Sequence, residues 1–162
     1  PRLIPLAMAV LTAKISIRLV FIYMTLFYYS FLFCSASDAI TIGKPISDGE
    51  LLISKGRKFA LGFFTPGKSN YRYVGIWYYN LQEQTVVWVG NRDDPINDTS
   101  GVLSVGPDGN LVLHTNSSNI PIWSTNVSVA ARSTRVMAQL TDLGNLVVSQ
   151  SDSKTVIWQS FD

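Results

Sequence analysis

Apolar and polar positions alternate along Lys58-Phe59-Ala60-Leu61-Gly62-Phe63, which places Phe59, Leu61 and Phe63 on one face of an extended segment. Asp108-Gly109-Asn110-Leu111-Val112-Leu113-His114 carries the same two-residue period, with Leu111 and Leu113 on the apolar side. Tyr71 to Tyr79 and Thr85 to Val89 are runs of aromatic and β-branched residues. Turn-forming stretches separate these runs: Thr65-Pro66-Gly67-Lys68-Ser69-Asn70, Pro95, Pro107-Asp108-Gly109 and Pro121. No segment after Asp38 sustains a helical period. The pattern predicts an all-β domain.

Two of these landmarks recur. Gly109-Asn110-Leu111-Val112-Leu113 leads to Trp123, and Gly144-Asn145-Leu146-Val147-Val148 leads to Trp158, so Asn110 and Asn145 stand 35 positions apart, as do the two tryptophans. One further step of 35 back from Trp123 reaches Trp88. A fixed period over three units predicts three structurally equivalent blocks, with Trp88, Trp123 and Trp158 as matching core positions. Aligning Phe59 with Leu111 and Leu146 leaves the first block 17 residues longer than the others, and the excess reads as a hairpin inserted around Tyr71–Tyr79.

The amino-terminal part follows different rules. Lys14 and Arg18 precede an almost wholly apolar run from Leu19 to Phe33, and the small residues Cys34-Ser35-Ala36-Ser37 follow. This order predicts residues 1–37 as upstream sequence and a secretory signal helix cleaved near Ser37, and 38–162 as one domain. The competing reading is a retained membrane anchor, for which the run is short against the roughly 20 residues a bilayer needs. The single cysteine, Cys34, lies in the leader, so no disulfide is expected after it. Three sequons, at Asn97, Asn116 and Asn126, fit an exported chain.

The formal charge of +2 changes little, because three of the 13 basic residues and none of the 11 acids precede Asp38. The remainder is close to neutral and offers no basic footprint for nucleic acid. After Asp38 there is no cysteine and one histidine, His114, so neither a thiol nucleophile nor a Cys/His zinc cluster is expected, and no cofactor or metal is implied.

The remaining candidate chemistry lies on the polar side of the 106–114 segment, where Gly106, Asp108, Asn110, Val112 and His114 share a face if the segment is one strand. A carboxylate accepts from two hydroxyls, an amide both donates and accepts, and valine packs on ring carbons, which together suits a sugar. Spacing alone favours a simpler reading, a turn at Pro107-Asp108-Gly109-Asn110 followed by a solvated edge.

These residues resemble the sugar motif Gln-x-Asp-x-Asn-x-Val-x-Tyr of the bulb-type, monocot mannose-binding lectins. Asp108, Asn110 and Val112 match it, Gly106 stands at the glutamine and His114 at the tyrosine. Segments such as Phe59-Ala60-Leu61-Gly62-Phe63-Phe64-Thr65-Pro66-Gly67, Val86-Val87-Trp88-Val89-Gly90-Asn91-Arg92 and Ile157-Trp158-Gln159-Ser160-Phe161-Asp162 are similar to plant S-locus glycoproteins and the ectodomains of S-domain receptor-like kinases. The resemblance implies a β-prism of three four-stranded sheets about a pseudo-threefold axis. It also implies a mannose-type site at Asp108, Asn110, Val112 and His114, and a place in the secreted fraction or on the outer face of the plasma membrane. Under the alignment above, the first block (Ser54, Gly56, Lys58, Ala60, Gly62) keeps none of the motif, and the third keeps only Asn145 and Val147. The middle site is thus expected to be degenerate, and a glycan on Asn116 would shade it. The alternative is an extracellular module that meets a protein or lipid ligand or a second copy of itself. Membrane attachment is expected only through a retained leader or a carboxy-terminal anchor beyond this sequence, and a kinase domain only in a longer relative.

Overall fold

The computed structural model describes residues 18–25, 37–128 and 135–161. The chain divides into two compact units, Pro1–Ser35 and Ala36–Asp162. In the first, 18–25 is helical, and no helix among the described residues is long and apolar enough to cross a membrane. The rest of the apolar run, with Cys34, lies outside the described residues.

The second unit holds twelve strands: β1 Ala39–Thr41, β2 Ile46–Ser47, β3 Leu51–Ile53, β4 Phe59–Phe64, β5 Tyr73–Tyr78, β6 Val86–Val89, β7 Gly101–Val105, β8 Leu111–Thr115, β9 Ser118–Ser124, β10 Val136–Leu140, β11 Leu146–Gln150 and β12 Val156–Gln159. They form three antiparallel four-stranded sheets ordered β3-β4-β5-β6, β2-β7-β8-β9 and β1-β10-β11-β12. The first three strands of the chain therefore go to three different sheets, and residues 39–53 stitch the prism together.

Alternation fills the interior. Phe59, Leu61, Phe63, Val74 and Ile76 of one sheet meet Leu103, Val105, Leu111 and Leu113 of the second and Ala138, Leu140, Leu146 and Val148 of the third in one buried cluster. Trp88, Trp123 and Trp158 pack against it. Their indoles meet one another edge-on, with centroids 5.8, 6.0 and 5.9 Å apart and interplanar angles of 73°, 67° and 72°. Edge-to-face contact puts the positive rim of each ring on the negative face of the next, so three can close a cycle with no unfavourable stack.

The register corrects the sequence alignment. Each tryptophan pairs with a residue of the third strand in its sheet: Ile76 with Trp88, Leu113 with Trp123 and Val148 with Trp158. An irregularity follows at the same place in all three. Val74, not Phe59, is therefore the counterpart of Leu111 and Leu146. Tyr71–Tyr79 is no insertion: its strand, β5, is an interior strand of the sheet. Phe59–Phe64 was mistaken for it because β4 is apolar on both faces.

Candidate functional site

The motif segment is half turn and half strand. Gly109 N donates to Gly106 O at 3.0 Å and Gly106 N to Asn110 O at 2.8 Å, closing a turn in which Gly109 takes a left-handed φ of 85°. Gly144 repeats it at 81°, with Gly144 N to Thr141 O at 3.1 Å and Thr141 N to Asn145 O at 2.9 Å. Only glycine occupies that region without strain, which explains the recurring Gly-Asn pair. Strand geometry begins at Leu111. Val112 and His114 thus share the outer face of β8, whereas Asp108 and Asn110 come from the turn; the five residues do not form one strand face.

Asn110 is only 8% exposed, and all its hydrogen-bonding capacity is used inside the fold. Its Oδ1 accepts from Val127 N at 2.7 Å and Thr125 Oγ1 at 3.0 Å. Its Nδ2 donates to Asp108 Oδ2 at 2.8 Å and Val127 O at 3.2 Å. Asn110 thus ties the turn to the segment that follows β9 and aims the Asp108 carboxylate. Asp108 is exposed, and its Oδ1 also accepts from Asn110 N at 3.2 Å. The Asn110 side-chain hydrogen bond holds its pKa below the ordinary aspartate value, so the group is a carboxylate at neutral pH.

Gly106 matters through the space it leaves. A Cβ there would stand 2.6 Å from Asp108 Oδ1, so the carboxylate lies over the position from which a longer side chain would emerge. At the far end of the segment, His114 Nε2 lies 3.5 Å from Ser104 Oγ and Nδ1 lies 3.2 Å from Thr115 O. Asp108, Val112 and His114 remain accessible, and Asn110 braces the first of them.

The brace recurs, and the sequence reading missed it. Leu111 N donates to Thr125 Oγ1 at 3.1 Å, Leu146 N to Ser160 Oγ at 3.0 Å and Val74 N to Asn91 Oδ1 at 2.8 Å. In each sheet a polar side chain two or three residues after the tryptophan closes the backbone bond at the entry to the third strand. The faint signal was the repeated polar residue behind each tryptophan. In the third sheet, Asn145 Oδ1 accepts from Ser160 N at 3.1 Å and from its hydroxyl at 2.9 Å, as Asn110 does from Thr125. Asp142 does not reach this face: its Oδ1 accepts from Gly56 N at 2.7 Å in the β3–β4 turn.

In the first sheet the true counterparts of Gly106, Asp108, Asn110, Val112 and His114 are Ser69, Tyr71, Tyr73, Gly75 and Trp77. None keeps the motif. The three sequon residues, Asn97, Asn116 and Asn126, are all exposed. Among the described residues no cluster of His, Cys, Asp and Glu could hold a metal ion.

A family model described as D-mannose binding lectin matches residues 85–162. The chain carries a bulb-type lectin domain. It is 44% identical over 142 residues to the G-type lectin S-receptor-like serine/threonine-protein kinase RKS1 of Arabidopsis thaliana, covering 87% of this chain and 17% of that relative. Against the G-type lectin S-receptor-like serine/threonine-protein kinase B120 of the same plant it is 45% identical over 148 residues, again covering 87% of this chain and 17% of the relative. The chain thus spans about a sixth of the length of these relatives. Among solved structures, the Japanese Marasmius oreades lectin superposes on 77% of this chain and 91% of its own with a TM-score of 0.57. At 15% identity that likeness speaks for the fold alone.

Proposed function

We propose that this bulb-type lectin domain works outside the cell as a weak receptor for mannose-type glycans, through one degenerate site on the second sheet. The observation that carries the reading is the exposed Asp108 carboxylate, ionised and aimed by Asn110, beside the outward Val112 and His114. Asp108 would accept from two adjacent sugar hydroxyls, Val112 would meet the ring carbons, and His114 would offer a ring nitrogen at the far side. Asn110 serves as the positioning residue. Gly106 supplies none of the hydrogen bonds that a glutamine could, and each missing contact costs about 1–3 kcal/mol. Affinity is accordingly low.

The leader-like amino terminus and the three exposed sequon asparagines support secretion or display on the outer face of the plasma membrane. The relatives named above support a role as the ligand-facing part of a longer serine/threonine-kinase receptor, with no catalytic role for residues of this chain. Saturation of Asn110 within the fold, and the Asn116 sequon in the turn after β8, favour a second reading in which sugar recognition is lost and the domain contacts a protein or a second copy.

Titration of secreted protein with methyl mannoside and a mannose-rich glycan array decides between them. The lectin reading expects weak binding abolished by Asp108→Ala in a protein that is still folded at the temperature of the titration. Binding that persists in Asp108→Ala would remove this site, and no binding, with or without enzymatic deglycosylation, leaves the interaction role.

A further inference from the structure

The first sheet carries a different surface at the place matching the mannose-type face. Its β4 strand is buried along its whole length: Phe59, Leu61 and Phe63 enter the central core, whereas Ala60 and Phe64 join Trp77 in a second cluster on the opposite face. Phe64 lies 6.0 Å from Tyr73 and 6.2 Å from Trp77, centroid to centroid. Gly75 makes this possible. A Cβ at Gly75, the counterpart of Val112, would stand 2.7 Å from Phe64 Cε1, so the Phe64 ring takes the place of the missing side chain. Over this floor is a groove of about 540 Å³ whose walls include Phe64, Tyr73, Val86 and Val89, with Gln84 and Arg92 also lining it.

Arg92 gives the groove its chemistry. It is exposed and forms no ion pair or hydrogen bond among the described residues, although Asp93 and Asp94 follow it in the chain. The volume lies within the usual range for small-molecule sites, roughly 300–1,000 Å³. An apolar aromatic floor recovers hydrophobic free energy from a ligand body, and a free guanidinium offers a planar fork that matches a carboxylate. Neutral sugar hydroxyls find neither the carboxylate nor the braced amide of the second sheet here, because Tyr71 and Tyr73 replace Asp108 and Asn110.

We propose that this groove is a second ligand site, specific for a small amphipathic organic anion whose apolar body lies on Phe64 and Tyr73 and whose carboxylate pairs with Arg92. The site is separate from Asp108 and does not depend on the mannose-type reading.

Isothermal titration of the secreted chain with 2-naphthoate, 2-naphthylmethanol and acetate tests it. Naphthoate binds, the neutral alcohol binds about tenfold more weakly for want of the charge-assisted pair, and acetate gives no detectable heat. Arg92→Gln lowers naphthoate binding to the level of the alcohol while leaving alcohol binding and thermal melting unchanged, since Arg92 makes no ion pair or hydrogen bond among the described residues. Arg92→Lys retains part of the preference for the anion. Asp108→Ala leaves naphthoate binding intact. Equal naphthoate affinity in wild type and Arg92→Gln, absence of binding at millimolar ligand, or loss of binding in Asp108→Ala would each overturn the proposal.

Discussion

Of the two ion pairs among the described residues, Asp48–Arg72 is the more enclosed, with side-chain exposures of 3% and 21%. Arg72 Nε donates to Asp48 Oδ2 at 2.7 Å and Nη1 to Thr65 Oγ1 at 3.1 Å, so the guanidinium ties the turn after β2 to the connection before β5. The Asp48 hydrogen bond raises the Arg72 pKa, which keeps the cation in place at every accessible pH. Removing Asp48 leaves the half-buried Arg72 guanidinium without its carboxylate, so Asp48→Ala should cost about 3 kcal/mol in urea denaturation. The double change Asp48→Ala with Arg72→Met should recover part of that loss, which a purely additive pair would not. Asp108 gives a pH signature. Its folded-state pKa is depressed, so its contribution to stability is present above the ordinary value of 3.8 and is lost as pH falls through the lower folded value. Melting temperatures of Asp108→Asn and wild type should therefore differ above pH 4 and converge at more acid pH. Asp98 and Asp142 are depressed too, by hydrogen bonds from Ser100 and Ser54 respectively, and should keep a residual acid slope in that variant.

The strands that carry the tryptophans contribute unequally to what could be read beforehand. Trp123 and Trp158 were legible because β8 and β11 are preceded by the same five-residue turn and carry the same inward apolar pattern. Trp88 was legible from its spacing. The first sheet hid its third strand because Tyr73–Tyr78 lacks the Gly-Asn turn, and because its outward positions are aromatic where polar residues mark the outer face elsewhere. Alternation identifies a strand with one wet face; it cannot place strands that are apolar on both. The braces at Asn91, Thr125 and Ser160 were hidden for another reason: a single hydroxyl or amide acquires its role only once the neighbouring strand lies beside it. The cycle of indoles makes its own forecast. Trp123→Ala removes two of the three edge-to-face contacts and opens a void at the axis, so a loss of about 3–5 kcal/mol is expected. Trp123→Phe should lose less, and both are checked by urea denaturation followed by far-ultraviolet circular dichroism.

At the scale of the whole domain, β3-β4-β5-β6 is built from consecutive strands and the other two sheets are not. Each sheet takes its fourth strand from the opening stretch, with Ala39 opposite Gln139, Ile46 opposite Leu103 and Leu51 opposite Gly62. The three short runs Ala39–Thr41, Ile46–Ser47 and Leu51–Ile53 are too brief for a periodic signal, so this exchange could not be read from the sequence, although the sheet count could. Deleting residues through Thr41 removes Ile40, which is fully buried, and bares the edge of β10. The truncated domain should lose at least about 3 kcal/mol, and its denaturation midpoint should fall accordingly. A domain of independent repeats would instead lose only one block and show two transitions.

The opening stretch also sets a timetable for biosynthesis. Gln139 Nε2 donates to Asp38 Oδ2 across 101 positions of chain. At a synthesis rate of about 5–20 residues per second, the first strand waits on the order of 5–20 s for its partner. Asn97, Asn116 and Asn126 all leave the ribosome within that interval. An oligosaccharide attached within that interval would meet an open chain, and the last sheet would have to shut in its presence.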